Sequence, residues 1–154
     1  MGINEPTLNQ SGINDVSFGT NVTLIAPVNL YGCTIGDDCF IGPFVEIQKD
    51  VTIGRGTRVQ SHSFICEGVT VSEDCFIGHG VMFINDLFTN GSSAGGDRRL
   101  WKPTQIGHHV SIGSNATILP VSICPHTVIG AGAVVTRDIT EAGTYAGNPA
   151  KKLA

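Results

Sequence analysis

"CTIGDDCFIGPFVEIQKDVTIGRGTRVQSHSFICEGVTVSEDCFIGHGVMF", from Cys33 to Phe83, decides the fold because it keeps a six-residue beat without a miss. Ile35, Ile41, Ile47, Ile53, Val59, Ile65, Val71, Ile77 and Phe83 form one apolar column. Two residues earlier in each hexad run Cys33, Cys39, Val45, Val51, Thr57, Ser63, Val69, Cys75 and Val81, all small or β-branched. A helix repeats near 3.6 residues and a plain strand near 2, so neither accounts for a period of six. β-branched residues alternating with Gly, Asp and Asn indicate short strands joined by tight turns. The simplest solid with that repeat is a parallel β-solenoid whose coils stack about 4.8 Å apart, with the anchors filling its interior. Gly after the anchor, as in Ile35-Gly36, Ile41-Gly42, Ile53-Gly54 and Ile77-Gly78, predicts a backbone turning there with positive φ.

Outward from this stretch the beat continues. Phe18 and Leu24 precede it; Ile106, Ile112, Ile118, Ile123, Ile129 and Val135 follow. The five-residue steps Leu30 to Ile35 and Ile118 to Ile123 read as shortened corners. One composition regime across 154 residues predicts a single domain, 1–154, with a cap over 137–154. No apolar run suits a membrane span, and no charged-then-apolar leader opens the chain, which predicts a soluble, cytoplasmic protein.

A net charge of -4 gives no basic footprint for nucleic acid. Cys33, Cys39 and Cys75 belong to the inward column and read as core thiols, whereas Cys66 and Cys124 lie outside it and read as exposed. Five Cys without paired spacing give no support to disulfides or structural zinc. Three hexads make a coil, so His62 and His79, 17 residues apart, are predicted neighbours on adjacent coils.

Between Ile84 and Gln105 the beat is lost, a gap longer than most connections in a compact domain. It leaves at Asn85-Asp86, passes "TNGSSAGGD" (Thr89 to Asp97), flexible by composition, and returns through "RRLWKP" (Arg98 to Pro103). The second half carries two guanidiniums, an indole and an ammonium, groups suited to hold a ligand or equally to form a solvated surface cluster.

The hexad pattern resembles the left-handed β-helix of the hexapeptide-repeat acyltransferases over roughly residues 18 to 150. "IGAGAVVTRDI" (Ile129 to Ile139) with "AGNPAKKL" (Ala146 to Leu153) is similar to the ending of its acetyltransferases. "VQSHSFICEGVTVSEDCFIGHGVMFINDLF" (Val59 to Phe88) resembles the N-acetyltransferases of UDP- or dTDP-linked 3-amino sugars. Where that pattern has a proline after Asn-Asp, this chain reads Asn85-Asp86-Leu87-Phe88-Thr89.

The resemblance implies a homotrimer with active sites between subunits, acetyl-CoA as co-substrate, no metal, and a role in cell-surface polysaccharide or O-antigen sugar biosynthesis. It implies that Asn85 orients the amine or binds the thioester oxygen, that Asp86 takes a proton or orders Asn85, and that His79 and His62 serve acid/base chemistry. Arg98, Arg99, Trp101 and Glu67 become candidates for the sugar nucleotide. Ser111, Ala116, Ala131 and Gly132, small residues that admit close approach, become candidates for the CoA arm, with Arg137 and Lys151 for its phosphates. Three alternatives stay open: O-acetylation of a sugar or serine hydroxyl, a non-catalytic binding solenoid, and a carbonic-anhydrase-like zinc site needing three imidazoles.

Overall fold

The structure, a computed structural model, describes residues 10–154; residues 1–9 of the single domain expected above lie outside that range. Strands of two or three residues assemble into three sheets of seven, six and eight strands, parallel except for the last strand of the chain. The chain visits them in rotation, forming the three faces of a prism. This is the parallel β-solenoid that the hexads predict, in the left-handed form that the family resemblance implies.

The anchors stack by register. The first face carries Leu30, Ile47, Ile65, Phe83, Ile118 and Val135; the second Phe18, Ile35, Ile53, Val71, Ile106 and Ile123; the third Leu24, Ile41, Val59, Ile77, Ile112 and Ile129. Leu30 and Ile35 head consecutive faces, as do Ile118 and Ile123, so the five-residue steps are shortened corners. Nearly all anchors are fully buried, each worth about 1.5–3 kcal/mol of transfer free energy. Phe18, in the first described coil, is 41% exposed.

The inward column is equally closed, including Thr57 and Ser63. Their hydroxyls are satisfied internally: Thr57 donates to the Ser72 carbonyl and accepts from the Cys75 amide, while Ser63 donates to Gly78 and accepts from Val81. Buried polar groups paired this way avoid the desolvation penalty. Cys33, Cys39 and Cys75 are core thiols as expected. Cys66, expected outside, is buried, and burial pushes its thiol up to about 12. Cys124 is half-buried.

The glycines after the anchors have a different cause from the one the sequence suggests. The left-handed corner residue is the third after the anchor: Asp38, Asp50, His62, Asp74, His109, Asn115 and His126 have φ between 54° and 63°. Gly54 and Gly78 lie outside the positive-φ set and are required by proximity. A Cβ on Gly54 would lie 2.5 Å from the Ser72 carbonyl carbon, and one on Gly78 2.7 Å from the Ile112 oxygen. Adjacent coils touch there, backbone on backbone.

At the carboxy-terminal end Thr144–Ala146 extends the third face in parallel, and Lys151–Lys152 turns back antiparallel to it. The stack ends in that reversal.

Candidate active site

The edge between the first and second faces is where the excursion leaves, after Phe83, and to which it returns at Thr104. Asn85 starts it with its side-chain amide donating to the Glu67 carbonyl at 3.2 Å, while its own carbonyl accepts from the Lys102 amide at 3.1 Å. Outgoing and incoming strands of the loop are thereby tied at Asn85. Asp86 accepts from the amides of Phe88 at 2.9 Å and Ala94 at 2.8 Å. Those bonds hold its carboxyl below the usual carboxylate range, chiefly through Ala94. In this structure Asp86 is the pin around which Thr89–Ala94 folds, so the segment that composition marked as flexible has a defined course.

Arg98 opens a short 3-10 turn, Arg98–Leu100, capped by Asp97. Its guanidinium reaches two coils, pairing with Asp50 and with Glu67, whose Oε2 lies 2.8 Å from Nε. Glu67 Oε2 is buried, and its one close polar neighbour is that Arg98 guanidinium. Its neighbour Arg99 turns outward, pairs with Asp97 and is 88% exposed. Glu67, Arg98 and Trp101, three of the residues singled out in the sequence, line one cleft of about 150 Å³ together with Gly68, Lys102 and Pro103. Asn85 borders it through Glu67 and Lys102.

A second array runs along the edge between the third and first faces. Residues 18 apart stack, so Ser61, not His62, lies against His79, and the Ser61 hydroxyl meets His79 Nδ1 at 2.8 Å. His62 stands one column over, stacked on Phe44 with ring centroids 4.8 Å apart. The two histidines are on adjacent coils as expected, but one column out of step. His79 begins a run of small corner residues: Asn115 donates to its carbonyl, and Gly132 donates to that of Ser114. Ala131 and Gly132 are exposed on this edge, and Ser111 is half-buried on the third face beside it. Ala116 is fully buried and faces the core, so it forms no wall of a groove.

Face one separates these arrays within a protomer. Asn85 and His79 sit at its opposite edges, with Met82–Phe83 between them. Arg137 and Lys151 meet in a cleft of about 480 Å³ at the carboxy-terminal end. On the remaining edge His108, His109 and His126 bring their rings to centroid distances of 5.0 to 5.1 Å. His62 and His79 are on another edge, so the five do not converge. Among the described residues no group of three His, Cys, Asp or Glu is placed to hold a metal ion. Ser61 and Phe44 were not anticipated, whereas Lys102 is the ammonium of the Arg98 to Pro103 stretch; of the first two only Ser61 had a signal, its 18-residue spacing from His79.

Family models for the bacterial transferase hexapeptide (six repeats) and the hexapeptide repeat of succinyl-transferase match residues 32–67 and 103–137. The bifunctional protein GlmU of Dichelobacter nodosus is 30% identical over 82% of this chain, which spans 29% of that relative's length. The AntD N-acyltransferase of Bacillus cereus, as a point mutant in complex with dTDP and coenzyme A, superposes with a TM-score of 0.79 at 22% identity, covering 90% of this chain and 82% of that one. A galactoside acetyltransferase in complex with coenzyme A superposes with a TM-score of 0.66 at 26% identity, covering 78% and 63%.

Proposed function

We propose, from the premise that this chain belongs to the hexapeptide-repeat transferase family, that it transfers an acetyl group from acetyl-CoA to the amino group of a nucleotide-linked sugar. The observation that carries the reading is the loop cleft: the Glu67 carboxylate and the Arg98 guanidinium paired beside Trp101 and next to Asn85. A carboxylate oxygen takes a sugar hydroxyl, a guanidinium takes a diphosphate, and an indole takes a ring face. CoA suits the opposite edge, its arm along Ser114, Ala131 and Gly132 and its phosphates toward Arg137 and Lys151. The CoA and dTDP bound to the AntD structure support both halves of the assignment.

The two edges belong to one reaction when the loop edge of one subunit packs against the small-residue edge of another. A homotrimer closes such contacts. The amine nitrogen attacks the thioester carbon, the C–S bond breaks, and CoA leaves as thiolate while the amide nitrogen sheds its proton. With His79 Nδ1–H donating to Ser61, the other ring nitrogen holds the lone pair that can take that proton; the departing thiolate is the other acceptor. Asn85, if freed from Glu67 by the substrate, donates to the oxyanion. The proposed setting is cytoplasmic synthesis of cell-surface polysaccharide precursors.

The test is thiol release from acetyl-CoA across a panel of UDP- and dTDP-linked 3-amino and 4-amino sugars. Release dependent on one amino sugar, and lost in Asn85→Ala, supports the reading. Release with hydroxyl acceptors alone supports O-acetylation, the second reading, which the Ser61–His79 bond and the likeness to a galactoside acetyltransferase favour.

A further inference from the structure

Phe44 breaks a rule of this fold. It occupies the left-handed corner position, φ 60°, that Asp, Asn, His or Gly fills at most other corners. A bulky side chain at positive φ is a genuine outlier, and such residues persist where their surroundings impose them, commonly at ligand sites. The backbone there is tied down by the Phe44 amide donating to the Pro27 carbonyl. The ring it displays is 57% exposed, among the most exposed large apolar side chains of the described residues. His62, at the same corner of the next coil and itself at φ 63°, stacks on it at 29° between planes. Together they make a two-ring ledge. Phe44 also walls a cleft of about 290 Å³ with Ser11, Pro27, Val28, Asn29 and Glu46.

We infer that the Phe44–His62 ledge is the stacking platform for the nucleobase of the sugar nucleotide. The inference rests on the acetyl-transfer reading above and deepens it. Three observations select this occupant. The ledge lies on the edge that carries His79, about two coil rises or ~10 Å before it, a span that a ribose and diphosphate bridge. The adenine of CoA is directed to the other end, because the small-residue run and the Arg137–Lys151 cleft lie on the carboxy-terminal side of His79. Flat aromatic faces hold bases with little regard to sequence, while the His62 ring edge keeps a polar group for the base's own donors and acceptors. Trp101, in the loop cleft, is then left to pack on the sugar.

The test uses the full-length protein and Phe44→Asn, a change that suits the left-handed backbone. Binding of dTDP, UDP and GDP is measured by titration calorimetry without CoA, with CoA binding and the melting midpoint as controls. The expected result is about tenfold weaker nucleotide binding, about 1.4 kcal/mol, with CoA affinity kept and the midpoint unchanged or raised. Unchanged nucleotide affinity in the variant overturns the platform and leaves the acetyl-transfer reading intact. Failure of the wild type to bind any of the three overturns the platform and the nucleotide-linked substrate together. A change of oligomeric state by light scattering with nucleotide affinity unchanged overturns it in favour of a subunit contact.

Discussion

The two edges of the first face are built by opposite means. The edge carrying His79 follows the repeat, with small residues where coils meet and a side chain such as Ser61 aligned on the next coil's His79 by register. The edge carrying Asn85 abandons the repeat for 20 residues, 84–103, between the strands that end at Phe83 and begin at Thr104, and rebuilds order from long polar side chains. Periodicity gives a straight rail, suited to a long thin cofactor arm. Interruption gives a cleft with three-dimensional polarity, suited to a substrate that must be told from its relatives.

Asn85→Ala is expected to have the largest effect, lowering kcat by about 10²–10³ as the loss of an oxyanion donor does. An unchanged kcat measured by thiol release removes the loop edge from the chemistry.

Next comes stability, where a glycine at a contact between coils is sensitive and one at an open corner is not. Gly54→Ala places a Cβ within 2.6 Å of two backbone atoms of the adjoining coil and is expected to cost about 1–3 kcal/mol, read as a lower urea midpoint. Gly132→Asn has open space around it and φ 69°, which Asn tolerates, so its midpoint should stay close to wild type. Equal effects at both glycines would show that φ rather than coil contact governs these positions.

The paired arginines sharpen the loop edge. Arg98→Ala removes the link to Asp50 and Glu67 and is expected to raise KM for the sugar nucleotide about tenfold; Arg99→Ala, bonded only to Asp97 in the described structure, should leave it within about twofold. A reversal of that order would place the substrate outside the cleft.

The smallest effect concerns Asp86. Its folded-state carboxyl lies below the unfolded value near 3.9, so its pinning of the loop is fully present above that value and lost as pH falls through the lower one. Fluorescence of Trp101, the single tryptophan, should reflect no Asp86 transition from pH 5 to 8 and a transition below about 4, and Asp86→Asn should shift the spectrum at pH 7.

The rail was legible because its cause is local. The anchors, the inward column and the shortened corners all follow from a period of six. The same period also places Ala116 two residues before Ile118, hence inside, so its assignment to the groove ignored a signal the sequence held. The glycines misled because two physical needs, positive φ and close approach, select the same residue type; only the Asp, Asn and His at the third position tell them apart. The convergence of Glu67, Arg98 and Trp101 depends on how the excursion folds back over earlier coils. No periodic pattern encodes that contact.

The central claim is that one site is made from the loop edge of one subunit and the small-residue edge of its neighbour. It is tested by mixing two inactive variants, Asn85→Ala and Ala131→Arg, in co-expressed oligomers. Shared sites predict recovery to about a quarter of wild-type activity, since random pairing restores both wild-type edges at that fraction of interfaces. Mixed oligomers as inactive as either parent would contradict the account.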